Sequence, residues 1–237
     1  MPIPFWKTTV FLLKKVIRMP NLIGIVVFPG TNCEFDVAEA VEAVGGNYRF
    51  IFHLDKELSD IDAVVIAGGF AHGDYLRPGA IARFSPIMES IEKFAEDGRP
   101  VIGICNGFQV LTEAGLLPGA LQKNSNLTFL CEPTVLNIET NETPFTSKLS
   151  PGSKVKLFIN HFSGNYTCDD QTLQKLKSNN QIVLTYLNNP NGSTQNIAGI
   201  CNATRNVIGL MPHPERAIDE LLGSDDGLKF FKSLINL

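Results

Sequence analysis

A chain of 237 residues is long enough for one α/β domain with a full core. With 44% apolar and 19% charged residues it has neither a disordered nor a fibrous bias, and a net charge of −4 leaves no basic field to hold nucleic acid. Cys33, Cys105, Cys131, Cys168 and Cys201 form no C-x-x-C pair, which argues against a zinc site or a disulfide framework and for a reducing, cytoplasmic setting.

Residues 1–20 carry Lys7, Lys14, Lys15 and Arg18 and no acid. The apolar run from Val10 to Leu13 is too short to span a membrane, and no small-residue cleavage site follows it. Three readings stand: a dispensable extension, a basic amphipathic helix, or an upstream start before a true one at Met19. The first and third are favoured, because a strand pattern opens directly after Met19-Pro20.

That strand is predicted over 21–28 as a continuous apolar run. Pro29-Gly30 turns the chain into a helix that Thr31 or Asn32 can cap, with Phe35, Ala38, Val41 and Val44 at three-residue steps. Strands follow over 48–52 and 61–67. A glycine-rich loop over 68–79 carries His72, Asp74, Tyr75 and Arg77. A helix over 80–96 and a strand over 101–104 lead to Cys105. Apolar strands alternating with helices predict a mostly parallel sheet with helices on both faces and a site beyond the carboxyl ends of the strands.

In the second half, strands are expected over 127–138, 154–159, 181–187, 195–201 and 207–211, read as antiparallel additions to the sheet. His161 falls in a loop after the second of these. Asp169 caps a short helix, Asn188 to Gly192 form a turn, and a last helix is expected over 226–235. Without a repeat or linker, residues 21–237 are read as one domain.

Gly103-Ile104-Cys105-Asn106-Gly107 has the G-x-C-x-G form of a nucleophile elbow, in which a strand turns sharply into a helix and presents a reactive atom at the sheet edge. A thiol at a helix N-terminus is favoured as thiolate, and the Asn106 N–H is placed to bind an oxyanion. The alternative is a buried structural cysteine. A nucleophile needs a base, and the base an orienter. His213 lies in Met211-Pro212-His213-Pro214-Glu215-Arg216, where the prolines favour extended backbone and put His213 and Glu215 on one face. A rigid, solvated surface turn is the competing reading. His161 is ranked as a cleft-lining residue, His53 as structural, and Gly68-Gly69 offers bare backbone for a second oxyanion donor. No nucleotide-binding loop and no metal-ligand spacing is present.

Together, Gly68-Gly69, the elbow with Phe108-Gln109, and His213-Pro214-Glu215 resemble the class I (triad) glutamine amidotransferases. Phe28 to Cys33, Gly73 to Arg77, Met211 to Ala217 and Leu221 to Gly227 are similar to the glutaminase subunits of phosphoribosylformylglycinamidine synthases of the small bacterial type. The resemblance implies a flavodoxin-like amidotransferase fold, Cys105 as nucleophile, His213 as general base and Glu215 as its orienter. It implies oxyanion donors at Gly69 and Asn106, and Gln109 as a residue holding glutamine. The implied reaction hydrolyses L-glutamine to glutamate and ammonia through a thioester. The implied partners are a large synthase subunit, which uses ATP and Mg on formylglycinamide ribonucleotide, and a short third subunit; the chain itself takes no cofactor, and no membrane or nucleic acid. Two stretches depart from the pattern: Asn160-His161-Phe162-Ser163-Gly164 stands where Ala-His-Gly-Glu-Gly is frequent, and Ala71-His72 where Ser-Tyr is common. Two alternatives remain: a stand-alone γ-glutamyl hydrolase, and a binding module that has lost its chemistry.

Overall fold

The computed structural model describes residues 22–235, so the expectations for residues 1–20 lie outside it. The chain runs through β1 (Leu22–Val27), α1 (Glu34–Ala43), β2 (Asn47–Phe52), β3 (Ala63–Ile66), α2 (Pro86–Glu96), β4 (Val101–Ile104) and α3 (Asn106–Glu113). It continues through β5 (Ala120–Gln122), β6 (Leu130–Ile138), β7 (Lys154–His161), β8 (Asn165–Thr167), α4 (Asp170–Ser178) and β9 (Ile182–Tyr186). β10 (Ile197–Cys201), β11 (Val207–Leu210) and α5 (Leu228–Leu234) complete it.

Nine strands form one sheet in the order β2-β1-β3-β4-β11-β10-β9-β6-β7. From β2 to β11 every pairing is parallel; from β10 outward every pairing is antiparallel. β3, β4 and β11 are buried at every position, as strands covered on both faces must be. Their carboxyl ends lie level, with Ile66 opposite Gly103 and Leu210 opposite Ile104. The chain therefore leaves three adjacent strands at one point on the sheet edge.

Several expectations need correcting. β11 was expected as an antiparallel addition but lies parallel to β4, which carries its last residues to the same edge as the elbow. α2 starts at Pro86, not 80, because Ser85 is extended and proline suits the first helical position; a 3-10 turn at Ala82–Phe84 precedes it. α1 is entered through Cys33 with no side-chain cap, while the Thr31 hydroxyl accepts from the Phe28 N–H. His161 ends β7 and is not in a loop. β6 begins at Leu130, after Leu127 turns through φ 55°. The small β5-β8 ribbon was not foreseen. Asp169 does cap α4, its carboxylate accepting from the Thr172 N–H at 2.7 Å.

Candidate active site

Cys105 sits between β4 and α3 with φ 51° and ψ −103°, a conformation that costs a non-glycine residue about 1–3 kcal/mol. Its N–H bonds to the Leu210 carbonyl of β11 at 2.8 Å and its carbonyl accepts from Gln109 at 3.2 Å, so both neighbouring elements hold the turn. The flanking glycines are sterically required. A Cβ on Gly103 would lie 2.6 Å from the Gly107 backbone, and one on Gly107 would lie 2.0 Å from the Ile66 carbonyl oxygen. Asn106 is the first residue of α3, so its N–H has no intrahelical acceptor. Gly69 is held at φ 145° by a bridge to Thr31 that uses Asn32 and Phe70 as donors, leaving the Gly69 N–H out of that bridge.

His213 follows β11, and its N–H bonds to the Phe158 carbonyl of β7 at 2.8 Å. Pro214–Arg216 forms a 3-10 turn, so the extended backbone expected through Glu215 is not what pairs the two side chains. The turn nevertheless brings Glu215 Oε1 to 2.5 Å from His213 Nδ1, with both side chains buried. Burial alone pushes the His213 imidazole down. The Glu215 carboxylate and the nearby thiols outweigh it and hold the ring well above its ordinary pKa.

His213 Nε2 has no well-aligned hydrogen bond, yet the Cys105 and Cys33 thiols both lie near enough to the ring to favour its charged form. The Cys105 thiol donates instead to the Asn160 carbonyl at 3.6 Å.

These groups open on a cavity of about 490 Å³, walled on one side by Gly69, Asp74, Cys105 and Gln109 and on the other by His161 and Ser163. Gln109 is buried and spans the two walls. Its Oε1 accepts from Asn106 Nδ2 at 2.8 Å, and its Nε2 donates to the Ser163 carbonyl at 2.7 Å. His161 Nδ1 meets Asn124 Oδ1 at 3.1 Å, and burial, with His213 nearby, lowers its pKa to about 4.

Residues 21–226 match the model of the CobB/CobQ-like glutamine amidotransferase domain. The chain belongs to that amidotransferase family. It is also 44% identical to a chain of PurLQS from Thermotoga maritima, over 92% of this chain and 98% of that one, with a TM-score of 0.84. A candidate GMP synthase protein from Thermoplasma acidophilum is 18% identical, with 91% and 92% covered and a TM-score of 0.62. A glutamine amidotransferase from Thermotoga maritima is 14% identical, with 91% and 96% covered and a TM-score of 0.58. These last two share the fold.

The candidate site thus gathers Gly69, Cys105, Asn106, Gln109, His213 and Glu215 from separate stretches of chain. Two residues beside them escaped the sequence reading. Cys33 is buried against the same Gly68 backbone as His213 and Cys105: a Cβ on Gly68 would lie 2.9 Å from His213 Cε1 and 3.2 Å from Cys33 Sγ. Arg216 donates to Cys33 Sγ at 3.1 Å and pairs with Asp36 at 3.4 Å, tying the histidine turn to α1. Cys33 follows the carboxyl end of β1, a position that could have flagged it. Donor atoms of Cys33, His213 and Glu215 lie within 4.8 Å of one another, near enough for a cation. Here, however, Cys33 is engaged by Arg216 and Glu215 by His213.

Proposed function

We propose that Cys105 attacks the carboxamide carbon of L-glutamine, with His213 as general base and Glu215 as its orienter. The thiol proton passes to His213 Nε2 as the C–S bond forms, and the carboxamide oxygen becomes an oxyanion received by the N–H groups of Gly69 and Asn106. The imidazolium then protonates the leaving nitrogen, ammonia departs, and a γ-glutamyl thioester remains. A water molecule, deprotonated by His213, attacks the thioester carbonyl; glutamate leaves and the thiol regains its proton. Gln109 shapes the wall against which the substrate lies. The observation that carries this reading is the buried His213–Glu215 pair at 2.5 Å, set beside a strained cysteine at a strand-to-helix turn.

The chain is a glutaminase subunit of phosphoribosylformylglycinamidine synthase and works in purine biosynthesis. In our reading its ammonia passes to a large synthase subunit, and a short third subunit joins the assembly. ATP and Mg act in the synthase, because cysteine–histidine chemistry needs neither. The cytoplasm is the proposed compartment, supported by five free cysteines, three of them buried. Among the described residues no helix is long and apolar enough to cross a membrane.

The complex reconstituted from this chain and its synthase tests the reading. Replacing Cys105 or His213 by alanine is expected to lower glutamine-dependent turnover by about three orders of magnitude or more. Turnover supplied with ammonia should survive. Retained glutamine-dependent turnover in either variant would overturn the assignment.

A further inference from the structure

We propose that Asp74 receives the α-ammonium group of the bound glutamine, an assignment that rests on the glutaminase reading above. Asp74 lines the cavity that also holds Cys105 and Gln109. Its Oδ1 accepts from Asn106 Nδ2 at 3.2 Å, so the carboxylate stands one side chain away from the backbone N–H that faces the oxyanion.

The backbone reaches this position at a cost. His72, Gly73, Asp74 and Leu76 hold φ values of 53°, 70°, 54° and 68°, all in the left-handed region that favours glycine. Such a run persists only where its surroundings enforce it. The Asn106 side chain enforces it here, accepting from the Ala71 N–H at 2.9 Å while it donates to Asp74.

Charge completes the case. Asp74 forms no ion pair among the described residues. The neighbouring cation, Arg77, gives Nε and Nη2 to Glu113 at 2.5 and 2.7 Å and is thereby committed. Asp74 is thus a partly desolvated carboxylate with one amide partner, and burial raises its pKa to about 6 against the pull of Asn106. A desolvated carboxylate without a counter-ion is unfavourable, and an ammonium group in the cavity supplies the counter-ion. Glu113 also lines the cavity but already has its cation.

The test compares L-glutamine with glutaric acid monoamide, which keeps the carboxamide and lacks the α-amino group. Both are titrated against the complex of the full chain with its synthase. The wild type is expected to prefer glutamine strongly. Asp74→Asn, which keeps the acceptor for Asn106, is expected to raise the KM for glutamine about tenfold or more while kcat stays near wild type. Its kcat/KM for the monoamide should hardly change, so the preference collapses. Asp74→Glu, which keeps the charge, should retain most of the preference. An equal fall of kcat for both amides, with the preference intact, would show that Asp74 only props Asn106 and would overturn the proposal. Loss of preference in Asp74→Glu to the same degree as in Asp74→Asn would also count against it. A wild-type complex that hydrolyses neither amide would instead overturn the glutaminase reading itself.

Discussion

The imidazole of His161 can hold only one neutral tautomer. Asn124 is wholly buried, and its Nδ2 donates to the Thr128 and His161 carbonyls at 2.9 and 3.0 Å. Its Oδ1 accepts from the Gly164 N–H at 3.0 Å, which fixes the amide orientation. His161 Nδ1 must then be the donor to Oδ1, leaving a buried Nε2 lone pair with no partner. Burial opposes charging this ring and His213 adds to the opposition, so its pKa falls to about 4. The two cavity histidines are therefore driven in opposite directions, His213 up by Glu215 and His161 down by burial. The consequences for stability differ in sign. The His213 contribution is complete below the unfolded pKa and is lost as pH rises through the raised folded pKa. For His161 the unfolded chain binds the extra proton between pH 6.5 and about 4, so acidification across that window favours unfolding. The full shift amounts to about 3 kcal/mol. Urea denaturation at pH 7 and pH 4.5 should show a clear loss for the wild type and a smaller one for His161→Asn. Equal losses would remove His161 as the cause.

At the scale of elements, the elbow depends on how closely α3 approaches β3. Gly107 faces the Ile66 carbonyl, and a Cβ there would stand 2.0 Å from the oxygen and 2.8 Å from its carbon. Backbone cannot move aside as a flexible side chain can, so α3 would have to lift. Gly107→Ala is expected to cost about 1–3 kcal/mol in thermal unfolding and to slow labelling of Cys105 by an electrophilic glutamine analogue. A variant with unchanged melting and labelling would show that the contact yields. This element was legible in the sequence because an apolar run, two glycines and a helical repeat meet at one point. β4 occupies the predicted 101–104. Other features were not legible, for physical reasons. Whether β11 pairs parallel or antiparallel depends on its neighbour, which no local pattern encodes. The three-residue strands β5 and β8 are too short to show a period. The His213–Glu215 contact was anticipated through the wrong backbone, since i and i+2 side chains were paired by extension and the chain instead turns. The position of Cys33 after β1 marked it only as near the sheet edge, and Asp74 only as a loop residue; what distinguishes them is the company they keep: Arg216 and His213 for one, Asn106 for the other.

The whole molecule divides the site between the two halves of its sheet. The parallel half sends β1, β3, β4 and β11 to a common edge, where they release Cys33, Gly69, Cys105 and His213. The antiparallel half supplies the facing wall through β7 and the residues after it. Cys105 now bonds across that divide to Asn160, while His213 Nε2 has no well-aligned hydrogen bond on the thiol's own side. In the proposed mechanism the Cys105 proton passes to His213 and not to the Asn160 carbonyl, so the placement of one half against the other bears on the first step. Phe70, Leu76 and Phe162 line the cavity and are exposed, so a protein seated over its mouth would press on both walls together. A glutaminase whose ammonia is used elsewhere is served by such an arrangement, since a site that fires alone wastes its product. The isolated chain is therefore expected to release ammonia from glutamine slowly, and binding of the synthase to raise kcat more than about tenfold, or 1.4 kcal/mol in the barrier. Steady-state ammonia release with and without the synthase measures this directly. Equal turnover in the two states would mark a stand-alone hydrolase and remove the need for any outside surface to set the thiol.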